Sequence, residues 1–258
     1  MANNMPPLPD IAGLFVFPLF LVFARVGAAL MIFPSVSDPS VNTRTRLMVA
    51  IGVALALWPA VTSYLPALPT STGQVVAFLV VEIALGILLG LGARVMMGAM
   101  NLAGELIAFA TGLQAATLFD PINNSNTTTP TLFLMMLAAV LVFITNLHHT
   151  LIAAVVKSYS LLPAGQLPPV ADALEALLRT IQVLMVLGLQ LSAPVVVVGF
   201  LGYVMFGVLN RLVPQLQVFF VSVPLQIFGG MLVLAASLSL MLTLFMAKLE
   251  QNMLLLNQ

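Results

Sequence analysis

Seven apolar runs, at about 11–34, 47–61, 75–100, 102–119, 131–156, 181–209 and 216–247, take up most of this chain. A helix crossing a bilayer needs about 20 apolar residues, each rising about 1.5 Å. Five of the runs meet that length easily. The 47–61 run does so only by extending towards Tyr64, and the 102–119 run is short and carries Glu105, as a re-entrant segment would. Charge supports the same class. Eight basic and eight acidic residues make up 6% of the 258 residues, against about 25% in an ordinary soluble domain. So few charges cannot cover a soluble surface of this size. The expected fold class is an all-α membrane protein.

Several functions are excluded on composition. Formal net charge is zero, which leaves no basic face for nucleic acid. There is no Lys/Arg cluster of the kind that recruits anionic lipid. The absence of cysteine removes disulfides, thiolate metal sites and thiol nucleophiles. The N-terminal "MANNMPPLPD" lacks the basic n-region of a signal peptide, so the first apolar run is expected to be retained.

Polar and Pro-rich punctuation separates the runs: "PSVSDPSVNTRTR" (34–46), "LPALPTSTG" (65–73), "PAGQLPPVAD" (163–172) and "NRLVP" (210–214). The third of these divides a longer N-terminal part from a C-terminal helical pair, and the fourth is the expected turn inside that pair. If all seven runs cross and the N-terminus lies outside, Arg44, Arg46, Arg94, Lys157 and Lys248 fall on the cytoplasmic side, with Arg211 an exception. The polar island "FDPINNSNTTTP" (119–130) would then be extracytoplasmic. Pro18, Pro194 and Pro224 interrupt apolar runs, which predicts broken helices of the kind tolerated against protein or a cavity.

Two intramembrane charges stand out. Arg25, in "FARVGAALMIFP", costs roughly 2.5–3.5 kcal/mol at bilayer depth and so must face protein or water. The alternatives are an ion pair inside the bundle and a pore-lining or subunit-contact position. Glu82 opens "EIALGILLG", where Glu82, Gly86 and Gly90 recur every four residues along one helical face. "GILLG" is a GxxxG pattern that lets another helix approach closely. A packed helix–helix interface is the expectation here, and a proton-coupling Glu82 the alternative.

Other motifs weigh little. Adjacent His148 and His149 diverge by about 100° on a helix and do not chelate one metal as an i, i+4 pair would. Neighbouring Lys157 and Ser158 do not face each other as a catalytic dyad must. GxSxG and P-loop patterns are absent. Two Asn-x-Ser/Thr matches in the polar island are expected by chance in so Asn- and Thr-rich a segment.

In their order and spacing, five pieces resemble the FliR family across nearly the whole chain. They are "FARVGAALMIFP" followed by "RTR", "EIALGILLGLGAR", "LAGELIAFATGLQAATLFDP", "NLHHTLIAAVVKSYSLLPAG" and "NRLVPQLQVFFVSVPLQIFGG". FliR proteins are the flagellar type III export-gate proteins, called SctT in virulence injectisomes. The second and third pieces resemble the flagellar branch more than the injectisome branch.

The resemblance implies a protein that is not an enzyme and carries no cofactor or metal. It implies partnership with FliP and FliQ in a closed helical pore, with FlhB wrapped around it. That complex would sit in the bacterial inner membrane at the flagellar basal body, in contact with membrane lipid. Unfolded flagellar subunits would pass through it, driven by the proton motive force and helped by an ATPase. The fold implied is one of helical hairpins: a FliP-like part at 1–165 joined to a FliQ-like hairpin at 166–258. Its apolar helices would pack on neighbouring subunits, much of them above the bilayer plane.

The resemblance also implies a pore plug at about 106–123, with Phe109, Gly112, Leu113, Gln114, Phe119, Asp120 and Pro121 as its candidate residues. Arg25, Arg46, Glu82, Gly86, Gly90 and Glu105 are the candidate pore or subunit contacts. The rival classes are a stand-alone secondary transporter or channel, which predicts an internal repeat that is not visible, and the injectisome paralogue.

Overall fold

A computed structural model describes residues 8–34, 36–37, 41–67, 69, 71–114, 127–166, 170–213 and 218–256. Among these, every regular element is helical. The elements are α1 (Leu8–Ile32), α2 (Thr43–Val61) with a 3₁₀ turn at Thr62–Tyr64, α3 (Thr72–Thr111), α4 (Thr129–Ile144), α5 (Leu147–Leu161), α6 (Val170–Leu212) and α7 (Val218–Leu256).

Local chemistry sets several of the boundaries. The Asn42 side chain accepts the Arg44 N–H at 3.0 Å and starts α2. Pro130 occupies the first turn of α4, where its missing N–H leaves no bond unmade. Asn146 takes left-handed φ 57 between α4 and α5, a conformation Asn tolerates better than most residues. Helix α3 ends at Gly112, with φ +76.

Five expectations change. The apolar runs at 75–100 and 102–119 are not separate: α3 continues unbroken through Asn101 to Thr111. Glu105 does not stop it, because that side chain finds a partner within the protein. The run at 131–156 is the one that breaks, with α4 ending at Ile144 and α5 starting at Leu147. The alternation that required seven crossings therefore loses its premise, and the orientation built on it goes too. The prolines do not break their helices. Pro18, Pro194 and Pro224 lie inside α1, α6 and α7, since one lost backbone bond is offset by the helical bonds and packing on either side. Asn210, Arg211 and Leu212 are helical, so the expected turn at 210–214 begins later.

Among the described residues, five helical stretches are long and apolar enough to span a membrane: Phe15–Ile32, Thr43–Tyr64, Thr72–Thr111, Ala171–Leu212 and Phe220–Leu249. The α4–α5 pair, taken as one broken span, would make a sixth. The chain is an all-α, multi-pass membrane protein. Helices α3, α6 and α7 have 40, 43 and 39 residues. At about 1.5 Å per residue each is roughly twice as long as the ~30 Å hydrocarbon layer. Part of each must lie outside that layer or be covered by protein.

Two compact units divide the chain. The first comprises Met1–Arg94, Asn146–Thr180 and Leu255–Gln258. Its core gathers Val22 and Val26 of α1, Ala54 and Val61 of α2, Tyr159 of α5 and Ala164. Phe15 and Trp58 meet edge to face at 5.9 Å between centroids, a favoured aromatic geometry. The second unit comprises Val95–Thr145 and Ile181–Leu254. In it the C-terminal half of α3 is buried on several sides, with Met96, Met100, Ala103 and Ile107 fully enclosed. A helix that is apolar all round belongs in an interior.

Candidate functional site

Arg25 and Glu82 form the polar centre of the first unit, and both are 0% exposed. Arg25 Nε donates to Glu82 Oε2 at 2.7 Å and Nη2 donates to Oε1 at 3.0 Å, a two-pronged pair. Nη1 donates to Ser158 Oγ at 3.1 Å, and Nη2 also donates to the Leu162 carbonyl at 3.1 Å. The guanidinium lies over the Tyr159 ring, 3.9 Å from its centroid, a cation–π contact. Glu82 Oε1 accepts a further bond from the Gly165 N–H at 3.0 Å. One cluster thereby ties α1, α3, the end of α5 and the turn at 162–165 together.

Glycine makes the pairing possible. Gly86 and Gly90, one and two turns beyond Glu82, face α1. A Cβ on Gly86 would collide with the Arg25 carbonyl and come within 2.8 Å of the Ala28 Cβ. A Cβ on Gly90 would lie 2.7 Å from the Ala29 carbonyl and 2.9 Å from the Ile32 Cβ. Without those side chains the two helices approach at backbone distance, and the carboxylate reaches the guanidinium in a short, direct geometry. Gly165 closes the cluster at φ +87, against the Phe78 ring.

The second polar centre belongs to the second unit. Glu105 Oε1 accepts from Thr131 Oγ1 at 2.9 Å, and Thr128 and Thr131 hydroxyls meet at 2.8 Å. Here too a glycine brings helices together: a Cβ on Gly104 would collide with the Thr131 backbone.

The remaining candidates are more scattered. Arg46 lies half-buried in the first turn of α2, two residues after Arg44. Cations there oppose the helix dipole. Phe109 is 64% exposed at the end of α3, its carbonyl accepting from the Tyr203 hydroxyl at 3.2 Å. Gly112 and Leu113 follow half-buried, and Gln114 is exposed. Phe119, Asp120 and Pro121 lie outside the described residues, as does most of the polar island.

Ser158, Tyr159 and the Leu162 carbonyl were not singled out from sequence as partners of Arg25, nor Gly165 as a partner of Glu82. All four fall within "KSYSLLPAG", where a Gly after Pro-Ala was the available signal for a special backbone position. Lys157 is exposed while Ser158 is turned inward, donating to the Val155 carbonyl at 2.6 Å.

These features define a class: a multi-pass helical membrane protein whose few buried charged groups bind its own helices to one another. Residues 16–252 match the family described as bacterial export proteins, family 1. The chain is 37% identical over 224 residues to flagellar biosynthetic protein FliR of Caulobacter vibrioides, covering 87% of this chain and 89% of the relative. It is 30% identical over 233 residues to FliR of Escherichia coli, covering 88% and 85%. Surface presentation of antigens protein SpaR of Salmonella typhimurium matches at 30% over 235 residues, covering 91% and 85%. The chain belongs to the FliR family of bacterial export proteins. The family is named for export and the FliR relatives for flagellar biosynthesis, rather than for an enzymatic activity.

Proposed function

We propose that this chain is a core subunit of the flagellar type III protein export gate. It forms the export pore with FliP and FliQ, with FlhB packed around it, at the flagellar basal body in the bacterial inner membrane. Flagellar subunits are the transported clients. The observation that carries this reading is the similarity to flagellar FliR over 87% of the chain. Helices about twice as long as the hydrocarbon layer is thick add support, because their surplus apolar length calls for protein neighbours. Exposed apolar side chains along α6 and α7, including Phe200, Leu201, Phe220 and Phe228, fit the same need.

Within this reading, 1–165 is the FliP-like part and 166–258 the FliQ-like hairpin, made of α6 and α7. The segment at about 106–123 is the pore plug, carried by the end of α3. The injectisome reading rests on the SpaR match at 30%, and the 37% match to a flagellar FliR favours the flagellar assignment.

Deleting the gene is expected to abolish motility and the export of hook and filament proteins, while a tagged copy restores both and co-purifies with FliP and FliQ. A deletion strain that still exports these proteins would sink the proposal. For the plug, removing 113–121 spares the packed Ala110 and Thr111 and is expected to make the membrane leak small ions. A tight membrane around an intact complex would refute the plug assignment.

A further inference from the structure

The first unit carries an apolar groove between α1 and α2. Val16, Leu19, Phe20 and Phe23 line it from α1, and Ile51 and Leu55 from α2. Val16, Phe20, Ile51 and Leu55 are exposed. The four α1 residues recur at i, i+3, i+4 and i+7, so one helical face forms that wall. On α2, residues seven and eleven apart return to within about 20° of one direction. Arg44 stands seven residues before Ile51 and eleven before Leu55. It therefore heads the same stripe that walls the groove, and it is exposed.

Depth fits as well. The span Thr43–Tyr64 has 22 residues, which at about 1.5 Å each just crosses a ~30 Å hydrocarbon layer. Arg44 then lies at one boundary. Tyr64, 40% exposed, lies at the other, at a level where aromatic side chains gather. Ile51 and Leu55 lie about 10 and 16 Å below Arg44, the depth of one leaflet's acyl chains. A second cation marks the same boundary. Helices α1 and α2 run antiparallel, since Phe15 meets Trp58, so α2 begins level with the end of α1. Gly90 packs on Ala29 and Ile32 at that end, and Arg94, exposed, follows one turn later on α3.

The groove alone would take any apolar chain, and the charge at its mouth selects among them. The first turn of α2 holds Arg44 and Arg46 and no acidic residue. An anion at that end is attracted by the guanidinium and by the helix dipole together. A neutral apolar helix brings no such group. A phospholipid brings an anionic phosphate and an acyl chain in the order the stripe presents them.

We propose that the α1–α2 hairpin is a binding site for an anionic phospholipid, with its phosphate at Arg44 and one acyl chain in the groove between Val16 and Leu55. The groove supplies the apolar half of the binding, so the site needs no cluster of cations of the kind that recruits lipid to a protein surface. It rests on the membrane-spanning fold and not on the export role.

The test uses the full chain purified in its native complex and placed in nanodiscs of mixed phosphatidylglycerol and phosphatidylcholine. Native mass spectrometry is expected to show phosphatidylglycerol retained in preference to phosphatidylcholine. Arg44→Gln should lower that retention several-fold, and Arg44→Lys should keep it. Arg211→Gln removes an equal charge from the second unit and should leave it unchanged. Leu55→Trp fills the groove with Arg44 intact and should lower retention as far as Arg44→Gln does. Equal retention of the two lipids by the original protein overturns the proposal. So does a loss in Arg44→Gln with none in Leu55→Trp, or displacement of the lipid by inorganic phosphate, since either describes a phosphate site with no chain seated in the groove.

A second measurement leaves the cation in place. Photoreactive benzoylphenylalanine substituted for Leu55 is expected, on illumination of native membranes, to give an adduct of phospholipid mass. An adduct with another protein, or with a second copy of this chain, would make the groove a subunit interface and overturn the lipid assignment.

Discussion

Replacing Arg25 with alanine is expected to cost about 3–5 kcal/mol of stability, the range for stripping one partner from a buried ion pair. The reason is the charge left behind. Glu82 is fully enclosed, and of its three bonds two come from Arg25 and one from the Gly165 N–H. Ser158 and the Leu162 carbonyl lose their donor at the same time. The loss should appear as faster proteolysis and lower membrane abundance of the variant. An Arg25→Ala protein as abundant and protease-resistant as the original would contradict the buried pairing. The double variant Arg25→Met with Glu82→Leu asks a different question. An apolar pair of similar volume is often as stable as the ion pair it replaces, so this protein should accumulate. If it also restores motility, the pair is scaffold. If it folds but does not export, the charges themselves serve transport, and Glu82 returns as a proton-coupling candidate.

Much of this arrangement was legible in the sequence, and the limits follow from what periodicity can carry. Glu82, Gly86 and Gly90 were readable as one close-packing face, because spacing on a helix fixes direction. Nothing in that spacing identified α1 as the helix they face, since partner choice is a tertiary fact. Arg25 announced that it needed a partner but not which one, and Glu82 is 57 residues away. The Ser158, Leu162 and Gly165 contacts were hidden further, because a backbone carbonyl and a backbone N–H leave no mark on residue type. The unbroken α3 was misread for a related reason. Glu105 looks like an interruption in a hydropathy profile and becomes ordinary once Thr131 supplies a hydroxyl. The break at Asn146 was missed because the apolar run passes straight through it, while a left-handed Asn ends the helix regardless of hydropathy.

Gly86→Ala is expected to destabilise the chain by at least the ~1–3 kcal/mol typical of overpacking, although alanine is the better helix former by roughly 0.5–1 kcal/mol. The added methyl would meet the Arg25 carbonyl, the Ala28 Cβ and the Ala29 backbone nitrogen. All three are backbone atoms or a Cβ, which cannot rotate away, so α1 and α3 must part. Gly52 of α2 is the control, because a Cβ there meets nothing within 4 Å. Gly52→Ala should therefore gain the helix-propensity term unopposed, and the two substitutions should move protease resistance in opposite directions. Equal effects would mean that the glycines act through propensity alone. The seam and the ion pair should also be coupled, because Gly86 lies one turn from Glu82 and packs directly on Arg25. Parting the helices pulls the guanidinium from the carboxylate, so part of the Gly86→Ala cost is the cost of breaking that pair. In an Arg25→Met, Glu82→Leu background that part is already gone, and Gly86→Ala should cost measurably less than in the original protein. Strict additivity would show that close approach and ion pairing are independent, and that the glycines serve packing without positioning the charges.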